Sequence, residues 1–249
     1  MDNDIVYGIH PVSAVLENEP ENILSVWLLE SSENRARELA ESLENLGLKI
    51  QKVKRKTLDS ITDGANHQGI VIRIRATKQA GENELLELIS GVEKPFILVL
   101  DDVTDPHNLG ACLRSADGAG VTAVVVSRDH AAGLNGTVRK VACGAAENVP
   151  FFTVTNLSRT LKALKELGVW ITGTAGEAEK LVYEADLSGP VALVMGAEDR
   201  GMRRLTRENC DDLVKLPMNG SVSSLNVSVA TGIVLYEALR QRMYLSKQD

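Results

Sequence analysis

The sequence predicts an α/β chain in two parts: a small α/β unit over residues 1–76 and a mainly parallel-sheet domain over 95–249, joined by a linker at 77–94. Three observations carry this. Short, continuous apolar runs (FILVL, AVVVS, VALVM) alternate with helical segments, the pattern of parallel strands covered on both faces. The interval TKQAGENELLELISGVEKP is polar apart from a short helical turn around Leu85 to Ile89. The first 76 residues carry their own alternation of strand and helix, within the size range of a separate domain.

In that first part, ILSVWLLE reads as a strand, ENRARELAESLENLG as a helix, LKIQKV as a strand, KRKTLDSIT as a helix and GIVIRIRA as a strand. Ala36, Leu39, Ala40, Leu43 and Leu46 recur on one helical face, and Gly47 is placed to cap its end. Ile70, Ile72 and Ile74 alternate with Val71, Arg73 and Arg75, which predicts a half-exposed strand. From Pro95 the order is FILVLDDV, NLGACLRSADGAG, AVVVS, TVRKVACGAAE, FFTV, SRTLKALKELG, VWITGTA, VALVMG, MRRLTREN, DLVKLPM and a final helix. In that helix Leu225, Val229, Ile233, Tyr236, Leu239 and Met243 recur at three- and four-residue steps and predict a buried amphipathic face.

Composition limits the function classes. The 249 residues are 44% hydrophobic, no apolar run approaches a membrane span, and the acidic start MDNDIVYGIHP lacks a signal-peptide pattern, so a cytoplasmic protein is expected. Cys112, Cys143 and Cys210 are odd in number and far apart, and the four histidines show no paired ligand spacing; no metal is expected. A net charge of −7 argues against coating nucleic acid through bulk positive charge. Two local basic runs remain, Lys49, Lys52, Lys54, Arg55, Lys56 and Arg200, Arg203, Arg204, Arg207. The bland reading of each is a solvated face; each also permits a structured RNA partner.

In parallel sheets ligands sit beyond the carboxyl ends of the strands, which directs attention to DDVTDPHNLG, TGTAGEA, GAEDRG and PMNGSVSSLN. In the first, Asp105-Pro106 forces a turn, Asn108 stands where an N-cap belongs, and Arg114 is either a structural partner of Asp101 or Asp102 or an anion clamp. In GAEDRG the glycines permit close approach of backbone to a ligand, without the spacing of a dinucleotide or phosphate loop. Glu198 is a functional carboxylate or an acid in the first turn of a helix. The serines of GSVSSLN belong to no nucleophile elbow. The residue types alone define an α/β protein with a polar, glycine-containing site and do not name its ligand.

Taken together and in order, DDVTDPHNLGACLRSADGAG, LVMGAEDRGM and LPMNGSVSSLNVSVATGIVLYE resemble the three signature motifs of the SpoU/TrmH class of SPOUT RNA ribose 2′-O-methyltransferases. YGIHPVSAVL and HQGIVIRI resemble the small ribosomal-protein-like substrate-binding domain that precedes the catalytic domain in many members. VRKVACGAAENVPF and GTAGEA resemble the subgroup that methylates a guanosine ribose of 23S rRNA in the peptidyl-transferase region. Methylation of tRNA, or an rRNA-binding assembly role without catalysis, are the alternatives. The resemblance implies a deep C-terminal trefoil knot and S-adenosylmethionine as methyl donor, held at Thr174, Gly196, Leu216, Met218 and Leu225. It implies an active-site set of Asn108, Arg114, Glu198, Ser224 and Asn226, and a homodimer whose site is completed across the interface. A role for Arg114 in activating the ribose hydroxyl is part of that implication. Since a guanidinium keeps its proton, the chemistry favours a grip on the adjacent phosphate that aligns the hydroxyl.

Overall fold

The computed structural model describes residues 3–75 and 80–245, which form two compact units. The expected linker therefore falls partly outside the described residues, at 77–79. The first unit contains β1 (Asn3–Tyr7), α1 (Ile9–Asn18), β2 (Ile23–Leu29), α2 (Asn34–Asn45), β3 (Ile50–Val53), α3 (Arg55–Ile61) and β4 (Ile70–Arg75). Its sheet runs β1-β4-β2-β3, with β4 antiparallel to both neighbours and β2 parallel to β3. Ile70, Ile72 and Ile74 pack with Val12 and Val15 of α1 and with Ala36, Leu39, Ala40 and Leu43 of α2. The opposite face differs from the half-exposed strand expected. Val71 is fully buried with Tyr7, Trp27 and Leu58, because α3 covers that side, and Arg73 lies over the Trp27 ring at 5.1 Å. Gly47 takes φ +84 just beyond α2, where its N–H donates to Glu44 O and that of Leu48 to Leu43 O, closing the helix end.

The chain continues through α4 (Glu82–Ser90), β5 (Phe96–Asp101), α5 (Pro106–Gly118) and β6 (Ala123–Ser127). The stretch expected as mostly linker is a nine-residue helix whose Leu85 and Ile89 are buried with Ile97, Val99 and Val194. Next come α6 (Gly136–Ala142) and α7 (Ala145–Asn148), which cluster with the first unit, where α6 packs on β1 and α7 on α1. Arg139 of α6 is ion-paired with Glu147 of α7, both side chains buried.

The second unit is completed by β7 (Phe151–Val154), α8 (Leu157–Glu166), β8 (Trp170–Thr174), β9 (Lys180–Leu181), β10 (Val191–Gly196), α9 (Arg204–Glu208), β11 (Asp212–Lys215) and α10 (Val227–Leu245). Its seven strands run β7-β6-β5-β10-β8-β11-β9, and every pairing is parallel. The chain leaves β5 toward β6 on one side, whereas β10 occupies the other. Their loops consequently diverge at the carboxyl ends and open a crevice there. Leu157, Leu161 and Leu164 of α8 close one face of the sheet, and α10 packs against α5 and β10.

The final helix departs from expectation. Val227, Thr231, Val234, Leu235 and Ala238 are buried, while Val229 (52%), Ile233 (37%), Tyr236 (53%) and Met243 (54%) are exposed. The helix carries two apolar stripes, and a three-to-four spacing cannot say which one meets its own chain.

Candidate active site

β5 ends at Asp101, Asp102 follows it, and α5 starts at Pro106. Its N-cap is Asp105, whose Oδ1 accepts from His107 N at 2.9 Å, with Pro106 in the first helical position. Asn108 is therefore inside the first turn, not at the cap as expected, and its side chain is free of capping duty. β10 ends at Gly196, followed by a turn in which Ala197 and Gly201 exchange both backbone hydrogen bonds (3.1 and 2.8 Å). A Cβ on Gly196 would stand 2.2 Å from Gly201 C and Met202 N, so only glycine fits. Glu198 lies in this turn and not in the first turn of a helix, since α9 begins at Arg204.

Asn226 caps α10. Its Oδ1 accepts from Ser228 N at 2.9 Å and from Ser228 Oγ at 2.6 Å. Its Nδ2 donates to Asn108 Oδ1 at 2.9 Å and to Glu198 Oε1 at 3.3 Å. A backbone N–H on one side and a carboxylate on the other fix the amide orientation, because each leaves one choice of donor and acceptor. Three loops thus meet at one cluster, Asn108–Asn226–Glu198.

Two cavities flank it. The first, about 380 Å³, is lined by all five residues expected to hold a donor (Thr174, Gly196, Leu216, Met218, Leu225), together with Glu198 and Ser224. The second, about 330 Å³, includes Asp102, Asn108, Glu198 and Arg200. Ala197, Glu198 and Arg200 line both, so the turn after β10 is their common wall. Arg114 is on the exposed side of α5 and lines neither cavity. The chain gathers four of the five expected active-site residues and leaves the fifth on its surface.

The arginine run after this turn is more than a solvated face, since each member has an acidic partner. Arg203 binds the fully buried Asp101 through its backbone N (2.8 Å) and Nε (2.6 Å). Arg200 approaches Asp102 at 3.4 Å, Arg204 pairs with Glu208 at 2.5 Å, and Arg207 pairs with Glu177. Asp101, considered from sequence as a partner for Arg114, is held by Arg203. Its signal was there to read: a carboxylate ending a strand with no other polar residue needs a buried cation or donor. Sequence reading also missed Gly173, where a Cβ would lie 2.7 Å from Cys210 Sγ and Met202 Cε. Burial pushes the Cys112 thiol up to about 11, and burial with the charge of Asp211 pushes Cys210 up to about 12, so both stay protonated at neutral pH.

The first cavity suits S-adenosylmethionine. Met195, Met202, Leu216, Met218 and Leu225 offer apolar wall to a flat base, the Glu198 carboxylate at the cavity edge would favour a cationic sulfonium, and Gly196 leaves backbone exposed to a ligand. Residues 95–236, which build this parallel α/β sheet and the loops of the site, match the SpoU rRNA Methylase family, and the chain belongs to it. Residues 5–80 match the domain described as RNA 2′-O ribose methyltransferase substrate binding. The chain is 57% identical over 241 residues (96% of this chain, 99% of the relative) to the 23S rRNA (guanosine-2′-O-)-methyltransferase RlmB of Photorhabdus laumondii. It is 56% identical over 241 residues to the protein of the same name from Escherichia coli K12, again covering 96% and 99% of the two chains. Its fold matches the SpoU methyltransferase AviRb of Streptomyces viridochromogenes, solved with AdoMet, with a TM-score of 0.82 and 24% identity over 97% of this chain and 91% of that one.

Proposed function

We propose that the chain transfers the methyl group of S-adenosylmethionine to the ribose 2′-hydroxyl of a guanosine in 23S rRNA, in the peptidyl-transferase region. The observation that carries this reading is the shared wall: one turn bearing Glu198 separates a donor-sized cavity from a polar one lined by Asn108. When bound, the donor supplies an activated methyl group on a sulfonium. Thr174, Gly196, Leu216, Met218 and Leu225, which line the first cavity, would hold it, and Glu198 would favour its positive charge at the boundary. Asn108 and Asn226 present a fixed amide pair to the incoming ribose, and Ser224 stands on the donor side, in the lining of the first cavity. A hydroxyl held in line by such groups gains rate through orientation.

Arg114 grips the phosphate next to the target ribose, a task its planar fork suits and a lysine does not. Because it lies outside both cavities of its own chain, we infer a homodimer. In it the exposed stripe of α10 (Val229, Ile233, Tyr236, Met243) is covered by a second copy, and Arg114 serves the site across the interface. The segment from Leu216 to Asn226 is the threaded part of the inferred knot. In the first unit the exposed run Lys49, Lys52, Lys54, Arg55 and Lys56 supports rRNA binding. A cytoplasmic location is part of the same proposal; among the described residues no helix is long and apolar enough to cross a membrane.

The test is methyl transfer from radiolabelled S-adenosylmethionine to unmodified 23S rRNA and, separately, to bulk tRNA, with digestion to nucleosides and Arg114→Ala as control. Label in 2′-O-methylguanosine from rRNA, absent with the variant, is expected. Label in tRNA alone would move the substrate, and tight donor binding with no transfer to either RNA or to ribosomal particles would replace catalysis with an assembly role.

A further inference from the structure

We propose that Asp101 is a positioning residue for methyl transfer: acting through Arg203, it sets the turn that forms the wall between the two cavities. Both ends of that turn are referred to this one residue. Gly196, where the turn begins, is in register with Asp101 across the parallel β10–β5 pair. Arg203, where the turn ends, donates its backbone N–H to Asp101 Oδ2 at 2.8 Å and its Nε–H to Oδ1 at 2.6 Å. The backbone bond matters most, because it fixes the path of the chain and not merely one side chain.

Between these ends the turn has little freedom of its own. Ala197 and Gly201 are bonded reciprocally, Gly201 adopts φ +66, and Gly196 is packed against Gly201 and Met202 with no room for a Cβ. A loop closed on itself in this way moves as a body, so its placement depends on what ties it to the sheet. Asp101 has no exposed surface, and a carboxylate so buried is tolerated only where it is fully bonded. The second tie, Arg200 to Asp102 at 3.4 Å, uses an arginine side chain that is 70% exposed, and solvent weakens it. The Asp101–Arg203 tie therefore sets the turn that carries Glu198, whose carboxylate also accepts from Asn226 Nδ2 at 3.3 Å.

This inference rests on the first cavity being the donor site, and the experiment keeps the two apart. Affinity for S-adenosylhomocysteine is measured by calorimetry, along with kcat, KM for rRNA and melting temperature, for the full chain and for Asp101→Asn, Arg203→Lys and the double variant. Asp101→Asn keeps the size and loses the charge and one acceptor; Arg203→Lys keeps the backbone bond and loses the fork. Leu161→Ala, in the core of the same unit, is the comparison for plain destabilisation. A displaced wall predicts a kcat about 100-fold lower in Asp101→Asn, S-adenosylhomocysteine bound about tenfold more weakly, and KM for rRNA within about twofold of wild type. Arg203→Lys should fall between, and the double variant should be no worse than Asp101→Asn, the mark of two residues acting as one. Leu161→Ala should lower the melting temperature and leave affinity and kcat unchanged. Wild-type kcat and affinity in Asp101→Asn, multiplicative losses in the double variant, or equal losses in Leu161→Ala would each overturn the inference. Should Asp101→Asn not fold, Arg203→Lys decides alone by the same readings. Failure of the wild-type chain to bind S-adenosylhomocysteine would instead overturn the donor-site reading.

Discussion

The Asn226 side chain joins Asn108 to the start of the last helix: its nitrogen donates to Asn108 Oδ1 at 2.9 Å while its oxygen accepts from Ser228 N at the same distance. One amide thus performs a structural task and a site task, and the two can be separated by substitution.

Asn226→Asp keeps a capping oxygen but puts a second carboxylate beside Glu198 and removes the donor to Asn108. Asp caps about as well as Asn, so the melting temperature should stay within about 2 °C while kcat falls by about 100-fold. Asn226→Ala should lose both, with about 1 kcal/mol of stability going with the cap. Calorimetry beside the methylation assay reads the difference, and an active Asn226→Asp enzyme would remove Asn226 from the reacting set.

At Gly196 the prediction is steric. Adding one methyl group at 2.2 Å from Gly201 C and Met202 N forces the turn outward. Gly196→Ala should cost about 1–3 kcal/mol as an overpacked site and weaken S-adenosylhomocysteine binding by at least about tenfold. Titration calorimetry giving wild-type affinity would show that the turn does not touch the donor.

The exposed stripe on α10 predicts association. Sedimentation should give a dimer for the wild-type chain and a monomer for Ile233→Glu/Tyr236→Glu, with methylation lost in the monomer. The wild-type melting temperature should also rise with protein concentration, as for any fold stabilised by its partner. A wild-type monomer at assay concentrations would refute the arrangement.

Acid lability should have a local source in Glu82. The hydrogen bond from Arg159 is the largest influence holding this carboxyl below its ordinary value of 4.5; burial opposes it, and a hydrogen bond from Thr160 adds to the lowering. Arg159 donates through two nitrogens, each at 3.0 Å, and Thr160 Oγ1 at 2.8 Å, tying α4 to α8. Folding favours the ionised form, so its contribution is complete above pH 4.5 and is lost as pH falls below that value through the lowered one. Glu82→Gln should melt lower than wild type at pH 7, and the gap should narrow as pH falls below 4.5. An undiminished gap at pH 3 would assign the difference to something other than ionisation.

Much of this was legible in the sequence, for identifiable reasons. Apolar strands such as FILVL leave one place for their polar neighbours, so the strand-end loops could be located, and all five expected donor contacts line one cavity. The cap of α5 was misassigned because Asp105-Pro106 was read only as a turn, although Asp before Pro at a helix start is itself a capping signature. The burial of Val71 was missed because strand alternation reports two faces but not whether a helix such as α3 covers the second. The strand end FILVLD shows that Asp101 needs a cation or donor, but Arg203 is 102 positions away and no local pattern says which arginine supplies it. The outward stripe of α10 was read as core because an exposed apolar stripe has the same periodicity as a buried one.

The all-parallel order of the larger sheet also has a consequence for how the protein is made. β5 is flanked by β6 and β10, and β10 begins at Val191, 90 residues after β5 ends at Asp101. On a ribosome adding about 5–20 residues per second, one edge of the apolar strand FILVL stays without its partner for roughly 5–20 s. Bare strand edges of that kind recruit other chains. The first cavity is lined by residues from 174 to 230, so it takes shape only when the start of α10 is in place. An interrupted chain therefore has both an open strand edge and an unfinished cavity.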